Sequence, residues 1–178
     1  MEEFQRTISE LKRDYIHGSS WYFERIAELL TGINLNDLKL LVKSMDEIRP
    51  GMASISNTGL VLKTSKIESD EDLRKTGRLL VEYRKRAVDN LKSEVRKLRI
   101  RSAVAISYSS AVKTFIESTG LEELLLLKSS PGNEYKVAEK DYGAICNVTV
   151  IPDSASYAFV NSVEAVIIGF DGLGYDFC

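Results

Sequence analysis

The stretch with the most chemistry in it is "AVAISYSSAVKTF", residues 103–115. An apolar run with strand character leads through Ser107, Tyr108, Ser109 and Ser110 into residues with helical spacing, and no glycine stands in the turn. A strand-to-helix turn at the carboxyl edge of a parallel sheet is where α/β proteins bind ligands. The helix start there presents unpaired N–H groups and a partial positive charge, so hydroxyls beside it can cradle a phosphate. The plainer alternative is that Ser109 or Ser110 only caps the helix.

Other reactive side chains are sparse. The single histidine is His17, and the two cysteines are Cys146, inside the β-branched run "AICNVTVI", and Cys178. Cys146 reads as a buried free thiol, and without C-x-x-C or H-x-x-x-H spacing neither a disulfide framework nor a zinc site is indicated. No metal and no cofactor are expected. The chain has 178 residues, 44% hydrophobic and 28% charged, with a formal net charge of -2. That composition is globular, with no general attraction to nucleic acid or to a membrane surface. No apolar run is long enough to span a bilayer, and the acidic, amphipathic start "MEEFQRTISEL" is unlike a signal peptide, so a cytoplasmic location is expected.

The elements that must position these residues fall into two halves with different periods. Residues 1–100 read as a helical domain. Phe4, Ile8, Leu11 and Tyr15 form one helical stripe. "WYFERIAELL" follows, capped by Ser19 or Ser20 and ending at Gly32, with Trp21, Tyr22 and Phe23 read as core in preference to an exposed interface. "NLNDLKLLVKSMDEI" is a third helix, capped at or near Asn36 and stopped by Pro50, and "MASISNTGLVLKT" is a fourth. From Glu68 one long connecting helix is predicted, with Leu80, Tyr83, Ala87, Leu91, Val95 and Leu98 on its apolar stripe. Its bases, Arg84, Lys85, Arg86, Lys92, Arg96, Lys97 and Arg99, are interleaved with Glu82, Asp89 and Glu94, which favours a solvated face over a nucleic-acid ridge.

Residues 101–178 change register. The apolar runs "SAVAIS", "EELLLLK", "AICNVTVI" and "VEAVIIGF" alternate with "SAVKTFIES", "EYKVAEKDYG" and "SASYAFVNS". Unalternated apolar runs are strands covered on both faces, hence a parallel sheet flanked by helices. The fold class is α/β: a helical N-terminal domain followed by a truncated Rossmann-like sheet of about four strands, in the order 3-2-1-4. No G-x-G-x-x-G follows the first strand, and "GFDGLG" has its glycines in the wrong order, so a dinucleotide is not expected.

The ordered segments "GSSWYFERIAELL", "IRPGMASISN", "ISYSSAV", "KSSPGNEYKVA", "VTVIPDSA" and "VEAVIIGFDG" resemble the family of translation initiation factor 2B alpha, beta and delta subunits. That family includes the aldose-ketose isomerases of methylthioribose-1-phosphate and ribose-1,5-bisphosphate. The resemblance implies a catalytic cysteine after the first strand and an aspartate in a G-A-D motif at the end of the fourth. Here Ser107 stands at the cysteine position and Asp171 at the aspartate position. An unassisted serine hydroxyl is too weak an acid to shuttle a proton between sugar carbons. If the chain is an isomerase, Asp171 must work with a substitute acid such as Tyr108.

Phosphate contacts depart from the family in the same direction. His17 replaces an arginine before the first glycine motif, and Ser130 in "KSSP" replaces another, neither offering arginine's planar fork. Arg49 remains in "IRPG"; on its own it reads as a charge beside a helix-ending proline, and the resemblance implies a ligand contact. Asp153, after Pro152, reads as a helix cap or as a lining residue beside Asp171. The family continues past the G-A-D motif, so the resemblance implies that "VEAVIIGF" is an exposed edge in a homo-oligomer contact, or covered by the tail.

The reading that results is a non-catalytic, regulatory-subunit-type protein with a residual pocket for a sugar phosphate or nucleoside monophosphate. Arg49, Ser107, Tyr108, Ser109, Ser110 and Asp171 would line it. A homo-oligomer and a translation factor partner are expected. The rival is an aldose-ketose isomerase of a phosphorylated pentose.

Overall fold

Apolar spacing and local capping account for most of the elements. The computed structural model describes residues 2–14 and 17–169, so Tyr15, Asp171 and Cys178 lie outside the described residues. Five helices come first: α1 (Glu2–Arg13), α2 (Ser19–Gly32), α3 (Leu35–Ile48), α4 (Ala53–Thr64) and α5 (Asp70–Val95). The described residues form two compact units, one through Lys85 and one over Arg86–Gly169, and the division falls inside α5.

In the helical unit, Phe4, Ile8 and Leu11 of α1 are buried with Tyr22, Ile26 and Leu30 of α2 and with Leu41, Met45 and Ile48 of α3. Trp21 and Phe23 pack half-buried against that core, as expected of a helix that must bury one face. The caps differ in detail from the sequence reading. Gly18, in extended conformation, is the N-cap of α2, and Ser19 and Ser20 are its first helical residues. Asn34 caps α3, its side chain accepting from Asp37 N at 3.2 Å, two residues before Asn36, near which the cap was expected. Gly77 lets α5 lie close to α2, since a Cβ there would sit 3.0 Å from Leu30 Cβ.

The stripe predicted for α5 is buried only towards its ends. Leu80 and Val95 are buried, whereas Tyr83 is 62% exposed and Ala87 is exposed. Leu98 lies past the last helical turn. Leu80 joins the core of the helical unit, while Tyr83 and Ala87 serve no core.

The second unit contains β1 (Ser102–Ile106), α6 (Ser110–Thr119), β2 (Glu123–Leu127), α7 (Glu134–Gly143), β3 (Asn147–Ile151), a one-turn α8 (Ser156–Phe159) between two 3-10 turns, and β4 (Ala165–Ile168). All strand pairs are parallel in the order β3-β2-β1-β4, the order predicted, with Val104 opposite both Leu125 and Val166. The 154–162 segment carries a short helix, as its sequence allows, of one α turn between two 3-10 turns. None of its residues is buried, so no packing extends a short helix that water alone does not favour.

The expectation of strands covered on both faces holds only for β1. Val112, Ile116, Ala138 and Tyr142 of α6 and α7 share one core with Ala103, Ala105, Leu124, Leu126 and Ile167. Consecutive right-handed crossovers in one direction put both helices on that face. On the other face Val166 and Ile168 stay 52% and 50% exposed, and β4 is an edge strand.

Candidate functional site

The order β3-β2-β1-β4 reverses direction between β1 and β4, and the crevice at their carboxyl ends is the expected binding place of an open parallel sheet. Ser107, Tyr108, Ser109 and Ser110 are all at this place, directly after β1. Gly169, after β4, closes on them: a Cβ there would lie 2.7 Å from Ser109 Oγ.

The turn without glycine is made by a serine in a glycine-like conformation. Ser107 has φ of 66°, which costs an L-residue roughly 1–2 kcal/mol. Ser129, after β2, is the other described non-glycine residue with positive φ, at 52°. The two are joined, Ser107 N donating to Ser129 Oγ at 3.1 Å. Asp153, after β3, extends the link by accepting Ser129 N at 2.7 Å and Ser130 N at 2.8 Å. The helix-cap reading of Asp153 is thereby corrected: Pro152 occupies the cap position, and the carboxylate faces the neighbouring loop, where two backbone donors need a charged acceptor.

Ser109 is the N-cap of α6, its Oγ accepting from Ala111 N at 3.3 Å. Its own backbone is bracketed by the buried Tyr142 hydroxyl, which accepts Ser109 N at 3.0 Å and donates to Ser109 O at 3.2 Å. Ser110 is the first helical residue, exposed, its carbonyl accepting from Thr114 Oγ1 at 2.9 Å. The N–H groups of Ser107, Ser109 and Ala111 are therefore all engaged within the protein, and a phosphate at this turn has to displace a hydroxyl to reach them.

Tyr108 donates to Asp141 Oδ2 of α7 at 2.8 Å, and its ring stacks on Tyr142 with centroids 5.8 Å apart. Burial and the Asp141 carboxylate push the Tyr108 phenol up to about 12. The same hydrogen bond holds Asp141 below the usual carboxylate range, outweighing the opposing effect of burial, with a lesser contribution from Lys113 3.6 Å away. A phenol so placed is a poor proton donor near neutral pH.

Arg49 belongs to the helical unit, at the C-terminal end of α3. It is half-buried: Nη1 donates to Asp14 O at 3.2 Å and to the Tyr22 hydroxyl at 3.3 Å, with the guanidinium 5.7 Å from the Tyr22 ring centre. The guanidinium thus ties the end of α1 to α2. His17 sits against the same group, its Nδ1 2.7 Å from Asp14 Oδ2 and its ring stacked 4.2 Å from Trp21. Burial pushes Asp14 up, but the His17 backbone N–H, the His17 ring and the Tyr22 hydroxyl outweigh it and hold the carboxyl below its ordinary value. A depressed carboxyl stabilises the fold above its unfolded pKa of about 3.9 and loses that contribution as pH falls through the lower folded value. Urea titrations of wild type and Asp14→Asn should accordingly show a stability gap that is widest above pH 5 and shrinks as the pH drops below about 4.

Sequence reasoning singled out the serines but missed Asp141, Tyr142 and Ser129, which hold them. Tyr142 had a signal: with Ala138 it lies on the buried face of α7, and a buried phenol needs a polar partner. Asp141 and Ser129 had none. Among the described residues no group of three or more His, Cys, Asp and Glu side chains could hold a metal ion. Nor is any described helix long and apolar enough to cross a membrane.

These observations define a class: a helical unit followed by a Rossmann-like parallel sheet of four strands, with a serine-lined switch-point crevice. Solved structures share that fold. Translation initiation factor eIF-2B from Pyrococcus horikoshii OT3 superposes with a TM-score of 0.83 at 21% identity, covering 96% of this chain and 67% of its own. The tetrameric eIF2B-beta2-delta2 complex from C. thermophilum gives 0.66 at 15% identity, with 96% and 66% covered. The 5-methylthioribose 1-phosphate isomerase from Pyrococcus horikoshii OT3 gives 0.62 at 15%, with 93% and 57% covered. The chain thus spans between 57% and 67% of the length of these structures. At these identities what is shared is the fold, and it is the fold that the sequence motifs imply. No protein-family model and no curated protein matches the chain.

Proposed function

We propose that the protein is a non-catalytic relative of the factor 2B regulatory subunits, in which the ancestral sugar-phosphate crevice has become part of the scaffold. The observation that carries this reading is the state of the turn after β1. Where the resembling isomerases place a thiol, Ser107 stands in a left-handed conformation, and the neighbouring Tyr108, the substitute acid named from the sequence, is tied to Asp141 with its phenol near 12. A sugar phosphate or nucleoside monophosphate is the ligand class left to the crevice, bound at the Ser107–Ser110 turn by displacing internal hydroxyls. The half-exposed Val166 and Ile168 of the β4 edge fit a protein contact, and the assembly named for the eIF2B-beta2-delta2 structure supports assigning it to an oligomer or a translation factor.

Incubation of the purified protein with ribose-1,5-bisphosphate and with methylthioribose-1-phosphate tests this reading. No ketose product is expected to form from either. Turnover that tracks the protein through purification and disappears in Asp171→Asn would make it an isomerase instead.

A further inference from the structure

The basic residues that sequence patterning assigns to a solvated helix face do not all behave alike. Lys97 pairs with Glu94 at 2.6 Å, and Arg74, Arg78 and Arg84 pair with Glu71, Glu71 and Glu24. Arg96 and Arg99 differ: α5 ends at Val95, both lie in the connection to β1, and among the described residues neither side chain has an ion-pair partner. With Arg101 they line a cavity of about 230 Å³, closed by Thr119, Gly120 and Glu122. Glu122 is the only carboxylate in that lining, 3.8 Å from Arg101 Nε, so three arginines share the cavity with one acid, while Glu164 beside it accepts Arg101 N at 2.6 Å. Gly120, in left-handed conformation with φ of 69°, puts no side chain into the space.

We infer that Arg96, Arg99 and Arg101 form a binding site for a compact polyphosphate anion, pyrophosphate or the diphosphate group of a small molecule, at the amino end of the sheet. This is the opposite end of β1 from Ser107, and the site is independent of the crevice. Three like charges collected in one hollow repel each other, and a multiply charged anion relieves that repulsion. Planar guanidinium forks match phosphate oxygens two at a time. At ~30 Å³ per water the cavity of about 230 Å³ holds the equivalent of about eight waters, room for a diphosphate, with any attached sugar or base left outside. A single arginine near a helix end would be explained by the carbonyls of that end. Three around one cavity, two of them without a carboxylate, are not.

Isothermal titration calorimetry with sodium pyrophosphate, at ionic strength held constant with sodium chloride, tests the site. Saturable binding of one pyrophosphate per chain is expected, weakened roughly tenfold or more in Arg96→Gln and in Arg99→Gln, since each removes charge-assisted bonds. Arg96→Lys, which keeps the charge and loses the fork, should fall between. Both arginines are exposed, and unchanged far-ultraviolet circular dichroism of the variants checks that folding is intact. Lys136→Gln, an exposed base of the same unit, should bind as wild type does. Absence of binding at millimolar pyrophosphate, or equal weakening by Lys136→Gln, overturns the inference. So does an oligoribonucleotide that binds through Arg99 and is not displaced by pyrophosphate, which would make the surface one for nucleic acid.

Discussion

Tyr142→Phe lowers the stability of the protein by about 1–3 kcal/mol, the cost of leaving a buried backbone donor without an acceptor. The Tyr142 ring is fully buried in the core shared by α6, α7 and the sheet, and its hydroxyl is the acceptor for Ser109 N. The carbonyl of Ser109 keeps a second partner in Lys113 N at 2.9 Å, so the orphan created is the N–H alone. Burial raises the Tyr142 phenol, and the Ser109 N–H offsets part of that rise, as expected of a hydroxyl that works in its neutral form. Urea unfolding at pH 7 measures the effect. Tyr108→Phe is the control: its bond to Asp141 is exposed and water replaces it, so a loss below about 1 kcal/mol is expected. Equal losses in the two variants would mean that the Tyr142 hydroxyl does not hold the turn.

That comparison also marks where sequence reasoning reaches. Residues whose role follows from local geometry were legible. "EYKVAEKDYG" is α7 residue for residue, Ser109 caps α6, and the strand order follows from right-handed crossovers and four apolar runs. What escaped depends on partners distant in sequence. Tyr142 reaches Ser109 across 33 residues and Asp153 reaches Ser129 across 24, and no local pattern encodes either meeting. The fully covered sheet was an over-reading of Leu125, Leu127, Val166 and Ile168. An apolar run is compatible with two covered faces, but it does not supply the helices to cover the second. Arg96 and Arg99 were read as helix surface because the apolar stripe carries on to Leu98, three residues past the observed end of α5.

Asp153→Ala is expected to cost about 2–3 kcal/mol, because two charge-assisted hydrogen bonds to backbone N–H groups are lost together. The consequence should not stay at Asp153. Ser129 and Ser130 lose their acceptor, Ser129 at φ of 52° is left with only its hydroxyl bonds, to Leu127 O at 3.3 Å and from Ser107 N, and so the Ser107 contact loosens with it. The three strand ends are linked in series, so loosening at β3 passes through the β2 loop to the turn after β1. Native-state hydrogen exchange resolves this: the amides of Ser107, Ser129 and Ser130 should speed up beyond the factor that the global stability change explains. Asp153→Asn keeps one carbonyl acceptor and should show a smaller loss at the same amides. If the acceleration were instead confined to residues 154–159, the carboxylate would be acting as a cap for its own helical turn. The strand ends would then be independent, and the left-handed Ser107 would have to be held by α6 and Tyr142 alone.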